Sequence, residues 1–190
     1  DMGYDTHEAV LRGKEWGCLE DRNRWCLVAV TRGMPFSFQD IRPVQLVRSL
    51  ASVLDEFAPD DPIWKRHEHL VDKRAQDAAK GNNFKMQFID PAADKVPVLR
   101  RGYHKAGSSD PRLLHPSDPD RSRLLTADEH ARVKGFDPAI VQGLPQSVAH
   151  QMLGQGIVYM PFFEQAQALG RSIVAFCTRQ QSAAHDEQVP

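Results

Sequence analysis

The run Trp25-Cys26-Leu27-Val28-Ala29-Val30 constrains the fold more than any other feature. It is continuous, apolar and rich in β-branched residues, so it predicts a strand buried on both faces. It falls well short of the roughly 18 apolar residues a membrane span needs, as does Ile157 to Phe163, so no membrane partner is expected. Such a strand needs cover on both sides, which a large sheet normally supplies. A chain of 190 residues has room for one medium domain or two small ones. Gly33, Pro35 and Ser37 end the run.

After that break, Val47, Leu50, Leu54 and Phe57 recur at helical spacing and predict an amphipathic helix over 44–57, closed by Pro59-Asp60-Asp61-Pro62. A charge-rich helix is expected over 63–80, stopped by Gly81-Asn82-Asn83. Strands are expected over 84–89 and 96–101, on either side of an Asp90-Pro91 turn. From 102 to 121 periodicity vanishes among Gly102, Gly107, Ser108, Ser109, Pro111, Pro116 and Pro119, and a loop of that length is usually functional or disordered. Thr126-Ala127-Asp128-Glu129 then forms a capping box that starts a helix, and Gly135 stops it. Another helix is expected over 146–153, before Gly154-Gln155-Gly156. In a last helix Pro161 is expected first, with Phe163, Ala166, Leu169, Ile173 and Phe176 on one face and fraying after Gln180.

A hydrophobic content of 41% with 26% charged residues and a net charge of -1 excludes the disordered, collagen-like and disulfide-scaffold classes. Whole-chain neutrality conceals a basic segment: between Val96 and Leu113, Arg100, Arg101, Lys105 and Arg112 face Asp110 alone. That segment either meets an anion or is a solvated loop. Cys18, Cys26 and Cys177 are widely spaced, which fits neither a disulfide framework nor a metal site. His67-Glu68-His69 puts its two rings on different helix faces and lacks a third ligand, so no metal is expected. The start Asp1-Met2-Gly3-Tyr4 has no basic segment leading into an apolar run, which makes a cytoplasmic location the expectation.

Arg123-Leu124-Leu125-Thr126, then Glu129, Arg132 and Gly135-Phe136, resembles the ninth motif of DNA cytosine-5 methyltransferases: Arg-x-Leu-Thr, Glu, Arg, Gly-Phe. Trp16-Gly17-Cys18-Leu19-Glu20-Asp21-Arg22-Asn23-Arg24 is similar to the eighth, a Tyr-Gly-Val-Pro-Gln-x-Arg-x-Arg run leading into a strand. Here Leu19 and Glu20 stand where the family has Pro and Gln. Met152 to Ile157 and the helix to Gly170-Arg171 resemble the tenth, with Gln155 in place of the usual Asn. The three motifs occur in the family's order. The resemblance implies an α/β fold: a remnant of a Rossmann-like methyltransferase domain plus a small mixed α+β target-recognition domain. It places the C-terminal strand region of the large domain at 1–34, target recognition at 35–121, the ninth- and tenth-motif helices at 122–180 and a flexible tail at 181–190.

The same resemblance implies the DNA-binding and target-recognition portion of a DNA (cytosine-5) methyltransferase. The family's Pro-Cys nucleophile, Glu-Asn-Val acid and glycine-rich S-adenosylmethionine loop do not occur in the sequence. The chain alone is therefore expected to be inactive. Its implied partners are double-stranded DNA and either the N-terminal catalytic half or a second copy in a dimer. Arg24 would contact the target cytosine and Arg22 a phosphate or the active loop, unless they pair with Glu20 or Asp21. Arg100, Arg101, Tyr103, Lys105, Ser108, Ser109 and Arg123 would meet DNA, with Tyr103 either stacking on bases or anchoring the loop root. For Arg123, Thr126, Glu129 and Arg132 a structural role is favoured, because the capping box explains their spacing and Arg132 can pair with Glu129 or Asp128. Gly154, Gln155, Gly156 and Ile157 would lie near S-adenosylmethionine once the other half is present. The alternative is a non-catalytic DNA-binding subunit that assembles with a separate catalytic chain. A third is a soluble interaction domain that binds no DNA.

Overall fold

The computed structural model describes residues 2–43, 48–82 and 86–186. The apolar run lies inside β2 (Asn23–Thr31), which pairs antiparallel with β1 (Tyr4–Arg12), a strand the sequence pattern did not announce. The pair forms a two-stranded sheet, and alternation gives it one covered face. Leu11, Val28 and Val30 are buried, while Trp25 and Leu27 are 63% and 49% exposed beside exposed Tyr4 and Val10. The expectation of burial on both faces is thus corrected. Val28 and Val30 pack with Trp16, Phe36, Ile41 and Ala168, and no further strand among the described residues covers the outer side.

A second sheet runs β3 (Lys65–Arg66), β6 (Arg121–Arg123), β5 (Arg112–Leu114), β4 (Phe88–Ile89). β4 and β5 are parallel, whereas β6 is antiparallel to both β3 and β5. Leu19, Leu50, Val96, Leu99, Tyr103, Leu113 and Leu125 form the core beneath it. The expected loop over 102–121 therefore contains one strand, β5, and a 3-10 turn, Tyr103–Lys105, and ends where β6 begins.

The helix expected over 44–57 is absent where it is described. Residues 44–47 lie outside the described part, Leu50–Val53 is one 3-10 turn, and Leu54 is extended. Distant side chains hold this backbone: Arg132 donates to Val53 O at 2.7 Å, and Asp55 N donates to Glu129 Oε1 at 2.8 Å. Those bonds compete with a helix ladder, and the apolar spacing only packs Leu50 and Val53 onto the core. The helix expected over 63–80 starts later, as α1 (Glu68–Ala79), because Lys65–Arg66 joins β6. Of the strand expected over 84–89, residues 84 and 85 lie outside the described part and only Phe88–Ile89 is strand. Residues 96–101 form no strand; Val96 makes a single parallel bridge to Glu20.

The capping box forms as expected at the start of α2 (Ala127–Val133): Glu129 N donates to Thr126 Oγ1, and Thr126 N to Glu129 Oε2. After the Lys134 C-cap, Gly135 takes a φ of 82°, a conformation a side chain resists, and the space above it is occupied by Cys18 Sγ. α3 (Gln146–Gln155) runs two residues beyond expectation and encloses Gly154. α4 (Tyr159–Asp186) has Pro161 third rather than first and continues past Gln180. Its inward face is also offset. Ala168 is buried with Leu169 against it, whereas Phe163, Ala166 and Ile173 are exposed. No described helix is long and apolar enough to cross a membrane.

Candidate nucleic-acid interface

The eighth-motif loop enters β2 through a dense set of backbone bonds. Leu19 N and Glu20 N both donate to Val133 O, at 3.0 and 3.1 Å, and Asp21 N donates to Val96 O at 2.8 Å. These bonds seat the Glu20 side chain in the interior. Its carboxylate accepts Lys134 Nζ at 2.6 Å and Leu99 N at 2.8 Å, with Arg22 Nη1 3.9 Å away. Lys134 is fully enclosed, and burial lowers its pKa while Glu20 opposes that shift. Arg22 lies just before the strand, nearly buried, and realises the ion-pair alternative with Glu20. Arg24 is half-buried on β2 and donates to Asn23 O at 2.9 Å.

The basic segment is held by side chains of its own. Arg112, one of the four cations of the basic segment, is completely buried. Its guanidinium donates to Ala106 O and Gly107 O and meets His67 Nε2 at 2.8 Å. Burial, and then the Arg112 charge, push the His67 pKa down, which favours a neutral acceptor imidazole. Asp110, also buried, accepts Gly107 N at 2.7 Å and Arg100 Nη2 at 2.9 Å, and Arg100 also donates to Ser109 Oγ at 2.8 Å. The segment is therefore an ordered loop whose acid and buried arginine are spent on its own shape.

What remains outward is a smaller set than the sequence named. Arg101, Lys105 and Ser109 are exposed, Arg100 is exposed but partnered, and Ser108 is half-buried. Neither Arg101 nor Lys105 has an ion pair among the described residues. They border a cleft of about 400 Å³ with Gly102, His104 and Gln151. His104 and Gln151 are the residues that sequence reading missed. Gln151 comes from α3, and no local signal connects it to the loop. His104, directly before Lys105, was legible only as a member of the basic run.

Tyr103 and Arg123 leave the contact set. The Tyr103 hydroxyl donates to Pro111 O at 2.8 Å and accepts Leu125 N at 3.0 Å inside the core, which is the anchor alternative. Arg123 is buried and bidentate to Glu129 at 2.6 and 2.7 Å, with the Phe57 and Trp64 rings over its guanidinium. Arg132 pairs with Asp55 at 2.8 Å rather than with Glu129 or Asp128, because Arg123 already occupies Glu129.

The tenth-motif residues divide in the same way. A Cβ on Gly154 would run into Arg100 C and Arg101 N, so this glycine lets α3 touch the backbone of the basic segment. Gly156 O accepts Lys134 Nζ at 3.3 Å, while Gln155 and Ile157 are exposed. Four residues so disposed enclose no group. They do not by themselves fit S-adenosylmethionine. Among the described residues no group of three or more His, Cys, Asp or Glu side chains could hold a metal ion.

Where α2 and α3 meet, His130 Nδ1 and His150 Nδ1 are 3.0 Å apart, stacked with each other and edge-on to Tyr103. One ring must donate and the other accept, so at most one of the two carries a charge. Burial drives the pKa of His130 down to about 2 and that of His150 to about 4.

No protein-family model matches the chain. Its sequence relatives include the type II methyltransferase M1.ScrFI of Lactococcus lactis subsp. cremoris, 20% identical over 83% of this chain and 41% of the relative. A second is the type II methyltransferase M.MspI of Moraxella sp, 26% identical over 83% of this chain and 36% of the relative. The chain thus spans about two fifths of the length of these curated relatives. The S. pombe Dnmt2 methyltransferase structure superposes with a TM-score of 0.67 at 17% identity, covering 88% of this chain and 56% of that one. That likeness shows the fold: a mixed α/β chain matching part of a Rossmann-like methyltransferase. With three ordered motifs and this shared fold, the chain has type II DNA methyltransferases as its homologues and fits a C-terminal part of such a protein.

Proposed function

We propose that the chain is the DNA-contacting, target-recognition portion of a DNA cytosine-5 methyltransferase. The observation that carries this reading is the cleft at Arg101, Gly102, His104, Lys105 and Gln151: two cations without ion pairs among the described residues, on a loop that internal bonds have already shaped. Guanidinium and ammonium groups so placed suit phosphate oxygens, and an ordered loop binds them with little further loss of entropy. Arg100 and Ser109 lie on the same loop with their mutual hydrogen bond available for exchange.

Methylating carbon 5 of cytosine requires the base to leave the stack, because the reacting atoms are otherwise enclosed. In this reading the cleft grips the backbone, and the half-buried Arg24 borders the flipped nucleotide, while Arg22 stays paired with Glu20. A catalytic portion, upstream in the same protein or on a separate chain, supplies the thiolate, the acid and most of the S-adenosylmethionine pocket. The exposed face bearing Tyr4, Val10, Trp25 and Leu27 supports such a partner, since a larger sheet would cover it. The 190 residues alone then transfer no methyl group.

Fluorescence anisotropy with a labelled cytosine-containing duplex, across a salt series, tests the reading. Binding whose logarithm falls linearly with log salt supports it, and no binding at low salt removes it in favour of a protein-interaction domain. Light scattering separates the partners: a dimer covers the apolar face with a second copy, whereas a monomer that assembles with the catalytic portion covers it with that sheet.

A further inference from the structure

Glu20 stands where the family resemblance places a Gln, and its surroundings give that difference a purpose. The side chain is fully enclosed, and its two oxygens serve different parts of the molecule. Oε2 meets Lys134 Nζ at 2.6 Å, and the same ammonium reaches Gly156 O at 3.3 Å, at the junction between α3 and α4. Oε1 accepts Leu99 N at 2.8 Å and faces Arg22 Nη1 at 3.9 Å. Leu99 is followed directly by Arg100-Arg101, whose backbone packs against Gly154 of α3. One carboxylate therefore touches the roots of both basic elements, the eighth-motif arginine and the recognition cleft.

The charges explain why the group is a carboxylate. Lys134 is sealed from water, and a buried ammonium persists only with a counter-ion and hydrogen-bond acceptors. Val133 O, one residue earlier, accepts both Leu19 N and Glu20 N, so backbone bonds bring the two side chains together before either charge acts. Neither charge can be removed alone: Glu20→Gln by itself would strand the Lys134 ammonium, and Lys134→Gln by itself would strand the Glu20 carboxylate.

We propose that Glu20, with Lys134 as its counter-ion, is a positioning residue that holds the backbone at Leu99 and so sets where the Arg100-Arg101 segment presents its cations to DNA. The inference rests on the DNA-contact reading above.

Two double variants test it, each removing both charges of the pair Glu20 and Lys134; Arg22 loses its carboxylate equally in both, so the difference between them isolates the bond to Leu99 N. Glu20→Gln/Lys134→Gln keeps an acceptor for Leu99 N, whereas Glu20→Met/Lys134→Met removes it. Thermal melts establish that each folds, and duplex binding is then measured by anisotropy over a salt series, with hydrogen exchange at the Leu99 to Tyr103 amides. The Gln pair is expected to bind like wild type. The Met pair is expected to bind about tenfold more weakly, with a shallower salt slope and faster exchange at Leu99, the scale of losing one hydrogen bond to a charged group. A purely structural role would move the melting temperature and leave the salt slope of the folded variant unchanged. Wild-type affinity, slope and exchange in the Met pair overturn the proposal. If the Met pair does not fold, the wild-type Leu99 amide decides: protection at core level supports the assignment, and exchange as fast as in an exposed loop overturns it. If wild type binds no duplex, the DNA reading falls, and the exchange difference between the two variants still decides whether Glu20 holds the segment.

Discussion

Arg112 and Arg123 on one side, Arg101 and Lys105 on the other, are cations within about two dozen residues of one another in the sequence, and they have opposite fates. The first two are enclosed and saturated, by carbonyls and His67 for Arg112 and by Glu129 and two aromatic rings for Arg123. The second two point outward beside one cleft. A cation's function here is decided by what the fold leaves free, since a guanidinium already holding several acceptors has no geometry left for a phosphate.

The most forceful way to break the contrast is Arg123→Ala, which leaves the Glu129 carboxylate buried without its partner. Removing one member of a buried pair costs about 3–5 kcal/mol, so chemical denaturation is expected to show a loss of that order. Unchanged stability would return Arg123 to the list of available contacts. Gly154→Ala comes next, because its methyl group would press into the backbone of Arg100 and Arg101. Overpacking of this kind costs about 1–3 kcal/mol, and because the strained backbone carries the cleft, DNA affinity should fall with it. A Gly154→Ala variant that loses stability but binds duplex normally would separate α3 from the recognition segment.

Acidification is expected to act on the pair His130 and His150. Both pKa values lie below the ordinary value near 6.5 in the folded state, so the unfolded chain takes up protons first as pH falls. Stability is then complete above pH 6.5 and declines from there toward pH 4, by up to about 1.4 kcal/mol per unit for each ring. Melting temperatures between pH 7 and 5 check this, and His150→Asn should flatten the profile. The smallest effect on stability belongs to Arg101→Ala/Lys105→Ala, within about 0.5 kcal/mol of wild type, as for surface changes generally. Its signature is a salt slope for duplex binding lower by about two. A slope that does not move would place the phosphate contacts elsewhere.

Legibility followed interaction range. The capping box was readable because Thr126 and Glu129 satisfy each other within one turn. The 44–57 spacing misled because Arg132 and Glu129, more than seventy residues away, claim that backbone. At the candidate site, Arg101 and Lys105, expected from the basic run to meet DNA, are exposed, but Gln151 comes from another element and Arg112 looked no different from its neighbours.

The order of the three motifs, the apolar strand around Val28, the start of α2 and the concentration of cations before Leu113 were determined by the sequence itself, because each depends on residues a few positions apart. Tertiary structure alone decided that Glu20 meets Lys134, that Gly154 admits the Arg100-Arg101 backbone, and that two of the four cations in the basic segment, Arg101 and Lys105, remain unpaired among the described residues. The physical reason is desolvation. A charge taken out of water must find its partner wherever the folded chain supplies one, and that distance is not written in local spacing.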